Sequence, residues 1–394
     1  MLTKYVVDTS TLLRTPDVVS KYDCVITAPV LRELEKHKLS RDEGLKFQVR
    51  EATRALIDSS VEVDWKDYTF SLNDEFDPQY NDNKLLQACI NNGYGLITDD
   101  LLLRLKAKGF GIEVVVPTEQ ELYTGYMDVR LSDEELALVY ESPKVNNLGL
   151  LLNQYLIIRD CHGNVKDKFK WKSGGLQKIK KKTIDSKWAG KVKPINLEQE
   201  LYMDMLFDDE ITTKAVSGVA GSGKDFLALS YFLDLVDKGR YKKIIWIRNN
   251  IDARNTNQLG FLPGSATDKL SPYADLIGDF LGEKSEMNKL IGEGKIELVH
   301  TGHLRGRDFR GAVVYCSEAQ NTTKDLMHLI GTRPADGSVI FLNGDVEQSD
   351  IGHSGHNNGL FAAINQFKGD PIFGHVRLNR TERSEIARLF SKLR

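Results

Sequence analysis

Cysteine is scarce in this 394-residue chain and scattered where it occurs. Cys24, Cys89, Cys161 and Cys316 show no C-x-x-C spacing, which argues against a zinc site and a disulfide framework and leaves reduced thiols. Long apolar runs are lacking too. None approaches the ~18 residues that span a bilayer, so no membrane partner is expected, and Met1-Leu-Thr-Lys-Tyr5 is expected to enter a strand directly. A soluble, cytoplasmic protein is the expectation. Neither sign of charge is in excess: 53 Lys and Arg face 56 Asp and Glu, a formal net charge of −3. Overall charge therefore names no partner. The length suffices for two or three domains, each with its own core.

Against these absences, Ser217-Gly218-Val219-Ala220-Gly221-Ser222-Gly223-Lys224-Asp225 stands out. It follows a short apolar run and leads into Phe226–Val236, which reads as a helix. Strand, glycine loop and helix form the context of a phosphate-binding loop, whose backbone N–H groups and lysine face a polyphosphate. ATP with Mg²⁺ is the expected ligand, with Gly218, Gly221, Ser222, Gly223, Lys224, Asp225 and Phe226 as its cradle. The pattern asks for Ser or Thr after the lysine, because that hydroxyl ligates Mg²⁺; this chain has Asp225.

Residues 1–122 alternate short apolar runs with helical stretches, which implies a parallel sheet. In such sheets ligands sit beyond the carboxyl ends of the strands. Asp8 and Asp99-Asp100 end two of the runs, and Glu33 and Asp82 fall in early turns of helices that point to that edge. Four converging acids without arginine partners are costly unless a divalent cation neutralises them. Oxygen-only ligation suits Mg²⁺ or Mn²⁺, which can activate water at a phosphodiester. Through Val7-Asp8-Thr-Ser10, Leu31-Arg-Glu33-Leu, Asp82-Asn-Lys-Leu-Leu86 and Ile97-Thr98-Asp99-Asp100-Leu-Leu-Leu-Arg-Leu-Lys-Ala107, the segment resembles a PIN domain. The resemblance implies a metal-dependent ribonuclease with Asp8, Glu33, Asp82 and Asp100 as metal-binding acids, Asp99 as neighbour and Thr98 in support. Ser10 stands where that family commonly has Asn.

Residues 123–193 read as a helix near 131–140, a hairpin turning at Cys161–Asn164, and a basic stretch. Together they make a small β-rich segment or linker. From Lys166 to Lys193 the only acids are Asp167 and Asp185. Lys166, Lys168, Lys170 and Lys172 alternate with apolar residues, so this segment could bind a phosphate backbone, with Phe169, Trp171 or Trp188 stacking bases of single-stranded RNA. The alternative is an edge strand kept soluble by lysine, followed by a basic linker.

In residues 194–394 four apolar runs follow the phosphate loop, giving a doubly wound parallel sheet of P-loop type. Gly311–Ser317 reads as a Walker B strand with Ser317 where Asp is usual, followed by Glu318 as the base that orients water. Ser338–Gln348 resembles the sensor strand of superfamily 1 helicases, with Gln348 toward the γ-phosphate. Lys193-Pro-Ile-Asn196-Leu-Glu-Gln199, Gly260-Phe-Leu-Pro-Gly264 with Lys269 and Pro272-Tyr273, His303-Leu-Arg305-Gly-Arg307 and Ser317-Glu-Ala-Gln-Asn-Thr-Thr323 together look like a PhoH ATPase. The whole chain resembles a PIN–PhoH fusion, an RNA helicase-like motor joined to a ribonuclease. That resemblance implies a homo-oligomeric ring, a hexamer in the family, with Gln199 reading the adenine and Arg383 as arginine finger ahead of Arg380 and Arg333.

Asp225 and Ser317 each carry the chemistry usual at the other's position, so the sum of one carboxylate and one hydroxyl around Mg²⁺ is unchanged. A compensated metal site is expected rather than a lost one. The reading is ATP-driven RNA processing. The alternatives are a nucleotide-gated RNA-binding protein without hydrolysis, and a nuclease whose second domain only oligomerises.

Overall fold

The computed structural model describes residues 3–40, 43–73, 76–117, 122–248, 284–348 and 358–382. Gly260–Gly264, Lys269, Pro272, Tyr273 and Arg383 lie outside the described residues. The chain forms two compact units, with the break before Leu122.

In the first unit five short strands make a parallel sheet: β1 (Tyr5–Val7), β2 (Cys24–Thr27), β3 (Glu62–Asp64), β4 (Gly95–Ile97) and β5 (Val114–Val115). Their order is β3-β2-β1-β4-β5. Val6, Val7, Val25, Ile26, Leu96 and Ile97 are fully or almost fully buried, as both-face burial of a parallel sheet requires. Pro29 sits in the first turn of the helix Ala28–Lys38, where its missing N–H costs nothing. The chain winds from β1 out to β3 on one side, then restarts at β4 on the other. The crevice between β1 and β4 is therefore the switch point of the sheet, and Asp8 and Asp100 emerge at their carboxyl ends.

The second unit opens with β6 (Tyr126–Arg130), β7 (Tyr155–Arg159), β8 (Val165–Lys172) and β9 (Gly175–Lys178), a four-stranded sheet in which β7 and β8 form the expected hairpin. A second hairpin pairs β10 (Ile184–Ser186) with β11 (Gly190–Val192). The helix Asp133–Glu141 starts on a capping box in which Ser132 and Glu135 satisfy each other's backbone N–H groups. Tyr155, Ile157, Ile184 and Val192 enter the same core as the helices Leu197–Phe207 and Lys224–Asp237. The four-stranded sheet thus leans on the fold that follows it.

That packing corrects the reading of the lysine strand. Lys170 and Lys172 are buried, and the helix Leu197–Phe207 with the turn after it meets the lysines with acids. Lys168 pairs with Glu200, Lys170 with Asp204 (2.9 Å) and Asp208 (2.6 Å), and Lys172 with Asp208 (2.7 Å) and Glu210 (2.9 Å). Phe169 is buried, and the Trp188 indole donates to Asp237 at 2.8 Å. The acids that neutralise the strand, Glu200, Asp204, Asp208 and Glu210, lie beyond Lys193 in the sequence. Local composition therefore overstated the free charge.

Six parallel strands complete the unit: β12 (Thr213–Gly218), β13 (Ile244–Arg248), β14 (Ile296–His300), β15 (Val313–Ser317), β16 (Val339–Gly344) and β17 (Phe373–Leu378), in the order β14-β13-β15-β16-β12-β17. Val216, Trp246, Tyr315 and Phe341 feed one core while Ala215, Ile245, Cys316 and Leu342 feed the other. Both faces are covered, the signature of a doubly wound sheet. Strand β17 was not read from sequence: His375 and Arg377 break its apolar pattern, yet it pairs with β12 along its whole length.

Candidate functional site

The acids of the first unit are held by neutral donors. Asp8 is buried, and its Oδ2 accepts from Ser10 Oγ (2.6 Å) and Thr98 Oγ1 (3.1 Å). Glu33 accepts from the Asn81 amide (2.6 Å), and Asp100 caps the helix Leu101–Gly109 through the Leu103 N–H (2.7 Å). Asp99 is drawn off into an ion pair with Arg14 (2.8 Å). Asp82 reports the crowding: burial first, then the charges of Asp8, Asp100 and Glu33, push its carboxyl up to about 6, against the opposing charge of Lys106. Burial likewise raises Asp8, with Ser10 and Thr98 opposing. The four acids share one field. Among the described residues no three His, Cys, Asp or Glu side chains stand together closely enough to hold a metal ion. The donor chemistry fits a hard divalent cation.

The phosphate loop is built from β12 and the helix Lys224–Asp237. Gly218 has φ +141, and a Cβ there would lie 2.0 Å from the Leu378 carbonyl oxygen, so β17 leaves room only for glycine. A Cβ on Gly223, at φ +88, would lie 2.9 Å from Gln199 Nε2. The Gln199 amide is already engaged: Nε2 donates to the Ser222 carbonyl (3.0 Å) and Oε1 accepts from the Ile195 N–H (3.1 Å). It braces the loop. Tyr202, one turn on, donates to the Lys224 carbonyl at 3.0 Å. Lys224 Nζ folds back onto the Gly218 (2.7 Å) and Val219 (2.9 Å) carbonyls, and Phe226 is half-exposed on the first turn.

Asp225 is exposed, yet protein surrounds it so closely that loss of hydration pushes its carboxyl above the usual range. Glu318 adds to that push, while Tyr315, Lys224 and Asn343 oppose it. Tyr315 Oη (2.7 Å) and Asn343 Nδ2 (2.5 Å) both donate to Asp225 Oδ1. Strand alternation puts Ser317 on the Tyr315 face of β15, toward the core that holds the helix Lys224–Asp237. Ser317 Oγ, Ser222 Oγ and Asn343 Oδ1 are buried without a hydrogen-bond partner among the described residues. Three such orphans in the elements around one loop call for a ligand.

Glu318 follows β15 in the left-handed region (φ 51, ψ 44), a conformation a non-glycine residue holds at a cost of about 1–3 kcal/mol. Its Oε2 accepts from Gln320 Nε2 (2.7 Å), whose Oε1 accepts from the Asp345 N–H (3.1 Å). Gln320 therefore ties Glu318 to the turn bearing Gln348, which is itself exposed. Arg333 is spent on the Leu329 and Arg307 carbonyls, and Arg380 is exposed. Glu382 donates its N–H to the Gly221 carbonyl at 2.9 Å. Tyr315, Asn343 and Gln320 were missed from sequence. The one available signal was a polar Asn inside the otherwise apolar run Val339–Leu342 and its continuation.

Comparison with known proteins fits this geometry. The family model described as PhoH-like protein matches residues 191–393, and the PIN domain model matches residues 5–117. Protein PhoH2 of Bacillus subtilis strain 168 is 28% identical over 440 aligned residues, covering 99% of each chain. Protein PhoH2 of Thermobispora bispora is 28% identical, covering 99% of this chain and 96% of its own. A PhoH-like protein of Bacillus subtilis is 36% identical over 169 residues, 42% of this chain and 52% of its own. With the braced phosphate loop on one unit and the acid-lined switch point on the other, the chain belongs to the PhoH-like family, its P-loop ATPase domain joined to an N-terminal PIN domain.

Proposed function

We propose that the protein processes RNA at the expense of ATP. The second unit hydrolyses ATP and moves or unwinds single-stranded RNA, and the PIN domain cleaves the RNA endonucleolytically. The observation that carries this reading is Glu318, held in a strained conformation at the end of β15 and electrostatically coupled to Asp225 on the phosphate loop. Strain that the surrounding structure sustains at such a position marks a group used in chemistry. When bound, a divalent cation supplies charge neutralisation and an acidified water.

Each residue then has a task. Asp8, Glu33, Asp82 and Asp100 would hold a divalent cation, Mg²⁺ or Mn²⁺, in the PIN domain, with Ser10 and Thr98 orienting Asp8. Lys224 leaves its own loop carbonyls for the phosphates, and Glu318 orients the attacking water. Gln348 approaches the γ-phosphate when nucleotide is present. Gln199 braces the loop and would lie near an adenine. Arg383 remains the proposed arginine finger; its chain neighbour Glu382 already touches the loop. A homo-oligomeric ring would bring such an arginine to the next subunit's nucleotide, worth ~10³–10⁵ in rate.

Asp225 and Ser317 are taken as a compensated pair around the nucleotide's cation. Asp225→Thr alone should hydrolyse ATP more slowly than Asp225→Thr with Ser317→Asp; equal rates would sink the compensation. A second reading, nucleotide-gated RNA binding without hydrolysis, draws on the carboxylate at position 225, close to where phosphates would lie. ATP turnover with and without single-stranded RNA separates the two readings, and cleavage of single-stranded RNA by wild type, Asp8→Ala and Lys224→Ala, with and without ATP, tests the coupling. Coupled processing requires that both variants lose ATP-stimulated cleavage. Cleavage indifferent to Lys224→Ala and to ATP would refute the coupling.

A further inference from the structure

The two hydrogen bonds to Asp225 end on the same oxygen. Tyr315 Oη and Asn343 Nδ2 both reach Oδ1, and among the described residues Oδ2 receives none. The donors are themselves fixed. The Tyr315 ring is fully buried and stacks on Trp246 at 4.3 Å between centroids and 7° between planes. Asn343 is buried on β16, the strand between the phosphate-loop strand and β15, and also approaches Tyr315 Oη at 3.3 Å. A carboxylate held by one oxygen presents the other in a set direction. On the same face of β15, two residues beyond Tyr315, Ser317 Oγ is buried with no hydrogen-bond partner among the described residues.

We propose that Asp225 Oδ2 and Ser317 Oγ are direct ligands of the divalent cation that accompanies the nucleotide, and that Tyr315 and Asn343 are the positioning residues that make an acidic phosphate loop workable. The proposal rests on the ATPase reading above. Its physical content is that a lone carboxylate beside a triphosphate repels it, whereas one whose second oxygen is aimed at the cation shares the cation with it. Partners that orient a ligating carboxylate are typically worth 10–100-fold in metal affinity. Phenylalanine at 315 would keep the ring stacked on Trp246 and remove only the hydroxyl.

The test is the affinity of a fluorescent ADP analogue, titrated in EDTA and then with Mg²⁺ or Mn²⁺, so that the readout is the gain in affinity that the metal confers. In wild type that gain is substantial. Asp225→Asn keeps an acceptor for Tyr315 but loses the charge, so its metal-free affinity holds or improves while the metal-dependent gain falls about 10-fold or more. Tyr315→Phe and Ser317→Ala each reduce the gain by about 10–100-fold without shifting metal-free affinity. Wild-type gain retained in Asp225→Asn and Tyr315→Phe would overturn the proposal and leave Asp225 as a plain anchor of helix to sheet. Nucleotide binding with no metal-dependent gain in wild type overturns this inference alone. No nucleotide binding in wild type overturns both it and the ATPase reading.

Discussion

Replacing Lys170 by methionine tests whether the lysine strand is structure or nucleic-acid surface. The side chain is buried, its ammonium lies 2.9 Å from Asp204 and 2.6 Å from Asp208, and methionine keeps most of its volume. Removing one partner of a buried ionic cluster typically costs 3–5 kcal/mol, because the remaining charge is left without compensation. Here the loss should fall at the lower end, about 3 kcal/mol. Lys172 still reaches Asp208 at 2.7 Å, and Tyr155 Oη still donates to Asp204 at 3.1 Å. With a urea slope of about 2 kcal/mol per M, the midpoint falls by roughly 1.5 M. Trp171, Trp188 and Trp246 report unfolding of this unit by fluorescence. The acid limb should change too. Burial works to raise Asp208, but Lys170 and Lys172 outweigh it and bring its carboxyl down to about 2. Its folded value lies below its unfolded one, so this stability is present above pH ~4 and is lost as pH falls toward 2. Lys170→Met should blunt that acid dependence. RNA affinity, and its slope against salt, should not move. An unchanged urea midpoint together with weakened RNA binding would refute the structural assignment.

Asp82→Asn should stabilise the first unit at pH 7 by about 2 kcal/mol, solvent screening at this partly exposed site reducing the full effect, while abolishing cleavage. The folded value near 6 exceeds the ordinary 3.8, so the cost of charging Asp82 grows as pH rises through that window and the advantage should vanish below pH 4 in circular-dichroism melts. Glu318→Gly should relieve left-handed strain and raise stability by about 1 kcal/mol, whereas Glu318→Gln keeps the strain; both should stop ATP turnover while nucleotide binding persists. Turnover surviving in Glu318→Gln would remove it as the base. Gln320→Leu should lower kcat with little change in KM and shift the pH profile of turnover. A purely structural Gln320 would change the urea midpoint and leave that profile alone.

Much of the fold was legible because parallel sheets write themselves plainly. Runs such as Ile244–Ile247 and Val339–Leu342 must be apolar on both faces, and the polar residues at their ends mark the edge where ligands gather. Asp8 and Asp100 follow such strand ends, while Glu33 and Asp82 lie in early helix turns, and after burial the charges of Asp8, Asp100 and Glu33 raise Asp82. Strand β17 escaped because His375 and Arg377 hide a strand whose pairing is decided by β12. Tyr315 and Asn343 escaped because a residue inside a strand run reads as core, and only the register of three neighbouring strands shows that they converge on Asp225.

The lysine strand failed for a related reason, and the failure shows how the second unit is wired. Charge counted along the chain assumes that like charges are neighbours only in sequence, but Glu200, Asp204 and Asp208 recur at helical spacing and present an acidic stripe to β8. The helix that carries this stripe also carries Gln199 and Tyr202, which hold the Ser222 and Lys224 carbonyls. Its far end is tied down by Lys214 of the phosphate-loop strand, which donates to the Met205 (2.7 Å) and Asp208 (2.6 Å) carbonyls. One helix thus takes the lysine strand on one side and the phosphate loop on the other. A perturbation that loosens Lys170 should therefore also weaken nucleotide binding, while RNA affinity stays as it was. Nucleotide affinity unchanged in a folded Lys170→Met protein would show that the two sides of the helix act independently.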